Sequence, residues 1–294
     1  MNCSAKIAVP GAIERGLDSH GLPEIRLRHA SGASARILEY GAHAVSWIDA
    51  AGHERFFMSR ASCFERGKPV RGGIPVVFPQ FCDNGPLPRH GFVRIHDWTL
   101  VDAGTTGAGG VFAALELCDS AATRAIWPHA FKTRLQFVLD TGFAVEWTIA
   151  NMGERPFVFH NALHTYFLIQ DIRRAAVRGL QGADLIQTDA GLGAAGHEIR
   201  FDSEIDRVFP GAPDAISLAD EAAKDGLHIA KQGMADVLVW NPWIDKARRM
   251  EDFGDDEFVR MVCVETGNIA AAIELAPGRA WAGLTRYRIP DPRS

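Results

Sequence analysis

Four separated stretches of the chain carry side chains able to move a proton or hold an anion. His160 and His164 stand four apart in FVFHNALHTYFLI, and Glu265 closes VRMVCVE just before Thr266-Gly267. A histidine and a carboxylate suit general acid–base work, because their surroundings can push their pKa values apart. Glu265 ends a run that puts Val259, Met261 and Cys263 on its face, so it is half-buried and its pKa should rise. A rim glutamate paired with an arginine fits the same pattern equally well, and Glu274 in the next strand is a rival. The third stretch, Arg71–Trp98, gathers Arg71, Gln80, Arg89, His90 and Arg94 on a path stiffened by Pro75, Pro79, Pro86 and Pro88. Gly72 and Gly73 let backbone approach a ligand closely. A Pro/Gly-rich surface crossover is the bland alternative. The fourth, VLVWNPW, offers Trp240 and Trp243, whose indole faces could stack on a sugar, although packing around the Asn-Pro turn is the stronger reading.

A metal centre at the two histidines is rejected. Asn161 stands where a His-Glu-x-x-His motif needs glutamate, and on a strand the α-carbons lie roughly 13 Å apart at about 3.3 Å per residue. Each histidine alone is first a hydrogen-bonded structural residue. His164 gains interest because Tyr166 shares its face and could help line a cavity. No Walker motif, no Gly-x-Gly-x-x-Gly after a strand and no Gly-x-Ser-x-Gly elbow occurs, so nucleotide cofactors and serine-esterase chemistry lack support.

The elements that must position these residues are strands. EIRLRHA and SARILEY alternate around Ser31-Gly32 as a hairpin, and HAVSWI continues the β pattern. VFAALEL, FKTRLQFVL and Phe143–Asn151 follow, the last two joined at Asp140-Thr-Gly142 with apolar residues at every second position. Phe157–Ile169 reads as one strand, and short strands are expected between Gly179 and Gly196. Ala219–Asp225 reads as one brief helical turn. Asp236–Trp240, Val259–Glu265, Ala270–Leu275 and Trp281–Ile289 end the chain in β signals. With no βαβ rhythm, no repeat and no low-complexity linker, the expectation is all-β: one large antiparallel sandwich or barrel over 1–294, its core about 24–290.

The totals bound the class. A chain of 294 residues that is 47% hydrophobic and 23% charged is ordinary for a folded globular protein. Its net charge of -5 argues against nucleic acid or an anionic membrane as partner, so an anion must be held by a local arginine cluster. Cys3, Cys63, Cys82, Cys118 and Cys263 show no regular spacing, which points away from a disulfide framework or zinc ribbon and toward a reducing, cytoplasmic setting. No signal peptide and no run of eighteen apolar residues is present.

RGGIPVVFPQF, LPRHGFVR before Trp98, LHTYF, FDSEIDRVF, VLVWNPWIDKARRMEDF and VCVETGN, in this order from about Ile25 to Tyr287, resemble the hexose-6-phosphate mutarotases of the aldose 1-epimerase superfamily. The resemblance implies a large antiparallel β-sandwich of the galactose-mutarotase kind, a cleft on one sheet, and neither metal nor organic cofactor. It implies that His164 is the acid that protonates the ring oxygen and that Glu265, rather than Glu274, takes the proton of the anomeric hydroxyl. Ring opening, rotation and closure then exchange the α and β anomers. Arg71, Arg94 and Asp206 match the family's substrate-contacting residues, and Arg89 and His90 of the same loop complete the expected substrate-binding set, with guanidinium forks suited to a phosphate. The expected partner is a small-molecule hexose phosphate and the expected state a monomer. Three residues depart from the pattern: Arg89 for a glutamine before His-Gly, Thr266 for a proline after the glutamate, and Asn268 for a histidine. They leave open an epimerase of free hexoses and a sugar-phosphate-binding protein without turnover.

Overall fold

The computed structural model describes residues 11–187, 191–194 and 198–290. Cys3, and the ends of the expected 1–294 unit, lie outside the described residues. Alternation along the sequence becomes a two-sided sheet wherever one face meets a core. In Phe131–Leu139 the side chains of Phe131, Thr133, Leu135, Phe137 and Leu139 are fully buried. The turn places Leu139 opposite Phe143, and Gly142 donates its backbone N–H to Asp140 Oδ1 at 2.7 Å. Thr133 is tolerated inside because its hydroxyl accepts from Trp147 Nε1 at 2.7 Å.

Among the described residues the strands form antiparallel sheets of four, eight and nine members. The four-stranded sheet is a meander of Ile13–Leu17, Pro23–Arg28, Ser34–Leu38 and His43–Ile48. The nine-stranded sheet centres on Ala280–Arg288, paired with Phe143–Asn151 on one side and Asp225–Gln232 on the other. The eight-stranded sheet centres on Met261–Leu275, flanked by Asp236–Asn241 and by Phe157–Leu163. Val237, Val239, Val262 and Val264 turn inward and share one core with Leu135, Phe137, Val145 and Trp147 of the nine-stranded sheet. The opposite face, with Leu238, Trp240, Met261 and Cys263, is covered by Phe57, Phe81 and Phe253. Burial on both faces explains why these strands read as nearly unbroken apolar runs.

Several boundaries differ from the sequence reading. Phe157–Ile169 is two strands, Phe157–Leu163 and Tyr166–Leu168, broken where His164 donates its backbone N–H to Pro75 O at 3.0 Å. Val259 lies in a short 3₁₀ turn, Glu257–Arg260, so it does not share a strand with Glu265. The two expected runs, Val259–Glu265 and Ala270–Leu275, merge into one fifteen-residue strand, Met261–Leu275. Gly267 does not interrupt it. A Cβ there would stand 2.2 Å from Asn161 O, so the glycine admits the neighbouring strand. Ala219–Asp225 is the turn of a hairpin between Ala215–Asp220 and Asp225–Gln232. A six-residue helix, Ala121–Ile126, was missed although its signal was present: Ser120 accepts from Thr123 N in a reciprocal capping box.

Arg71–Trp98 is no surface crossover. Ile74, Val76, Val77 and Phe78 are fully buried, and Val76–Val77 joins the eight-stranded sheet beside Leu163 and Ala162. The loop therefore enters the core and emerges at the rim of the face that holds Cys263.

Candidate active site

The catalytic candidates arise from the alternation of Met261–Leu275. Its outward residues are Met261, Cys263 and Glu265, and pairing sets Trp240 opposite Cys263 and Leu238 opposite Glu265. Glu265 is 1% exposed, deeper than the half-burial expected, while Glu274 is exposed near the far end of the same strand. His164 comes from the break between the two short strands. Its Nε2 lies 3.3 Å from Glu265 Oε1. The imidazole stacks on Tyr166 with centroids 4.8 Å apart and planes 8° apart, and meets Trp240 and His90 edge-on. The residue after each of His164 and Glu265 fastens this floor to the other sheet. Thr165 Oγ1 bonds Tyr287 Oη at 2.7 Å, and Thr266 Oγ1 bonds Thr285 Oγ1 at 2.6 Å. Thr266→Val strands the buried Thr285 hydroxyl and is expected to cost about 1–3 kcal/mol of stability, measured by denaturant titration.

Asp206, from Ile205–Phe209, lies opposite Trp240 in the ladder, and Arg71, Arg89, His90 and Arg94 come from the buried loop. All seven predicted site residues line one cleft with His164 and Glu265 at its floor. Arg71 is clamped: Nε and Nη2 donate to Asp252 Oδ2 at 3.1 and 2.9 Å, and Nη1 donates to Tyr166 Oη at 2.8 Å. Arg94 donates from Nη2 to Arg89 O at 2.7 Å. Arg89 is the outermost of the three, ion-paired with Asp83 at the rim. His90 has its Nδ1 acceptor role set by Cys82 N–H at 3.3 Å, so the neutral ring carries its proton on Nε2 and acts as a donor.

Burial dominates the titration of the floor. It holds His164 well below the ordinary imidazole range, with Arg71, Arg94 and Arg89 pushing the same way. It drives Glu265 well above the carboxylate range, helped by Asp206. His90 is depressed by burial and by His164, and Arg94 falls to about 10 through burial and Arg71. Two polar atoms at the floor, His164 Nδ1 and Glu265 Oε2, are buried with no hydrogen-bond partner. Trp47 Nε1, His160 Nδ1 and Asn161 Nδ2 are unpartnered as well, but His164 and Glu265 line the cleft, where a ligand can supply the missing bonds.

Sequence reasoning missed Cys82, Lys246 and Met250 on the wall. Lys246 projects from the short helix Trp243–Ala247, donates to Glu204 Oε1 at 2.7 Å and lies 3.6 Å from Asp206 Oδ2. Only its place in the KARRM segment hinted at it. The two tryptophans divide: Trp240 lines the cleft, and Trp243 packs on Phe258. The His160–His164 pair is not a site, since His160 belongs to a different groove beside Pro79 and Trp127. His164, Cys263 and Glu265 do bring one possible metal-ligating atom each within 4.8 Å of one another. Burial and the neighbouring Glu265 raise the Cys263 thiol well above its usual range, which disfavours the thiolate a metal would need.

The family model for aldose 1-epimerase matches residues 23–288. A protein of Cenchrus ciliaris assigned as a glucose-6-phosphate 1-epimerase is 36% identical over 274 residues, covering 90% of this chain and 83% of its own. One from Escherichia coli with the same assignment is 35% identical over 233 residues, covering 77% and 76%. A crystal structure from Salmonella typhimurium assigned as a mutarotase superposes with a TM-score of 0.88 at 26% identity, covering 97% of this chain and 96% of that one.

Proposed function

The chain belongs to the aldose 1-epimerase family, and from that premise we propose that it exchanges the α and β anomers of a hexose 6-phosphate, glucose 6-phosphate first among them. The observation that carries this reading is the buried His164–Glu265 contact at 3.3 Å under a wall of arginines. The names of the plant and bacterial relatives support the substrate class.

In the proposed reaction the pair holds one proton throughout. The His164 imidazolium gives its proton to the ring oxygen as the C1–O5 bond breaks, and the Glu265 carboxylate takes the proton of the anomeric hydroxyl. The product is an open-chain aldehyde with neutral imidazole and carboxylic acid beside it. Rotation about C1–C2 presents the other carbonyl face, and the same transfers in reverse close the ring. Arg71 and Arg94 hold the phosphate through charge-assisted hydrogen bonds, Arg89 adds charge at the rim, and His90 and Asp206 contact sugar oxygens. Four cysteines, Cys63, Cys82, Cys118 and Cys263, are free thiols, which supports a reducing, cytoplasmic setting. No helix among the described residues is long and apolar enough to cross a membrane.

Magnetisation-transfer NMR of glucose 6-phosphate tests the proposal. Exchange should be far faster with enzyme than without, and wild-type rates in both His164→Asn and Glu265→Gln would overturn it. A rate advantage for free glucose that survives Arg71→Ala would move the substrate class to unphosphorylated hexoses. Saturable binding without exchange would leave a sugar-phosphate-binding protein.

A further inference from the structure

We infer that the phosphate of the substrate arms the acid–base pair: a dianion seated on Arg71 and Arg94 moves the single proton of the His164–Glu265 pair from the carboxyl to the imidazole. The inference rests on the hexose-phosphate reading above and adds a role for the phosphate beyond binding.

The cleft wall carries an uncompensated charge. Arg71 is ion-paired with Asp252, whereas Arg94 forms no ion pair among the described residues and donates to the Arg89 carbonyl. Two guanidiniums thus share one carboxylate. This charge is tied to the floor through Tyr166, whose hydroxyl accepts from Arg71 and whose ring lies flat on His164. The groups facing His164 are Glu265, Cys263, His90, Tyr166 and the three arginines. His90 is held neutral and takes no part in the exchange.

The arginine charge reaches the floor on the His164 side, through the Tyr166 ring stacked on the imidazole. It disfavours an imidazolium at His164, whereas Glu265 is raised by burial and Asp206. In the empty cleft the proton therefore rests on Glu265 and His164 is a neutral imidazole. Both groups are then in the wrong state for a ring-closed sugar. The resting pair matches the open-chain aldehyde instead, since ring opening leaves an imidazole and a carboxylic acid. A phosphate monoester brings about -1.5 to -2 charges near neutral pH, which reverses the sign of the wall. One proton transfer across the 3.3 Å contact then yields an imidazolium acid and a carboxylate base together. No proton is gained or lost in that step.

The test is substrate in pieces. Anomer exchange of free glucose is followed by NMR with wild-type protein and increasing inorganic phosphite, with His164→Asn in the same buffer as the blank for buffer catalysis. The expected result is a saturable acceleration of at least about tenfold, since a nearby opposite charge shifts a pKa by about 1–3 units. Arg94→Gln should exchange glucose faster than wild type without phosphite and should no longer respond to it, because the suppressing charge is gone. Phosphite that competes with glucose 6-phosphate yet accelerates nothing overturns the inference. If phosphite has no effect of either kind, a glucose rate in Arg94→Gln at or below wild type overturns it. Failure of wild-type protein to exchange glucose 6-phosphate strikes the functional reading instead.

Discussion

Glu265→Gln is expected to slow glucose 6-phosphate exchange by about 10²–10⁴-fold, the range of a general acid–base group, while leaving the protein at least as stable as wild type at pH 7. The two effects share one cause. Burial and Asp206 raise the folded-state pKa of Glu265 above its unfolded value. Such a group favours the folded state fully below the unfolded pKa of about 4.3. That contribution is lost as pH rises toward the folded value. Glutamine has the shape of the protonated acid and never ionises, so the variant keeps at pH 7 what the wild type has lost. Thermal melts should coincide at low pH and separate in favour of the variant as pH rises, with exchange rates measured on the same samples. A variant that melts below wild type at pH 7 would mean that the carboxylate is held ionised by partners and that this account of the floor is wrong.

Gly91→Ala is expected to cost about 3 kcal/mol or more, among the largest effects of a single methyl group. Gly91 has φ +70°, and a Cβ there would stand 1.9 Å from Phe78 O, a fully buried backbone atom whose carbonyl also accepts from Phe92 N. Strain and collision therefore add. Gly21→Ala separates them: its φ is +81° and a Cβ would meet nothing within 4 Å, so only about 1–2 kcal/mol of backbone strain is expected. Denaturant titration of both variants gives the comparison, and equal losses would rule out the collision. Because Gly91 lies between His90 and Arg94, the surviving folded fraction of Gly91→Ala should also bind sugar phosphate poorly.

Period-two alternation made the central hairpin, its neighbours Val111–Cys118 and Ala280–Arg288 and the all-β class legible, since each strand there buries one face. Alternation failed where a strand is buried on both sides. Phe157–Ile169 offers no glycine or proline to mark the break at His164, and Gly267 resembles an end because a close backbone approach and a turn both call for glycine. The candidate site was legible as a set of residues because the resemblance tied distant blocks together. Its electrical state was not, because the depth of Glu265, the Asp252–Arg71–Tyr166 clamp and the wall position of Lys246 depend on contacts between segments far apart in sequence. The departures from the pattern find separate places. Thr266 faces inward to Thr285, and Asn268 bonds Asn161 Oδ1 and Gly233 O, away from the cleft. Of the three, Arg89 alone stands at the rim.

Met261–Leu275 answers two masters through neighbouring residues. Cys263 and Glu265 face the cleft, while Val262, Val264 and Thr266 face the opposite sheet. Descendants of this chain can therefore revise the inner letters of the strand by repacking against the opposite sheet and keep their chemistry, or revise the cleft wall through the Arg71–Trp98 loop and keep their fold. What they cannot inherit is a single-residue insertion between Met261 and Glu265. It would turn the glutamate toward the opposite sheet and set an apolar residue under the sugar, erasing the reaction and damaging the core in one event.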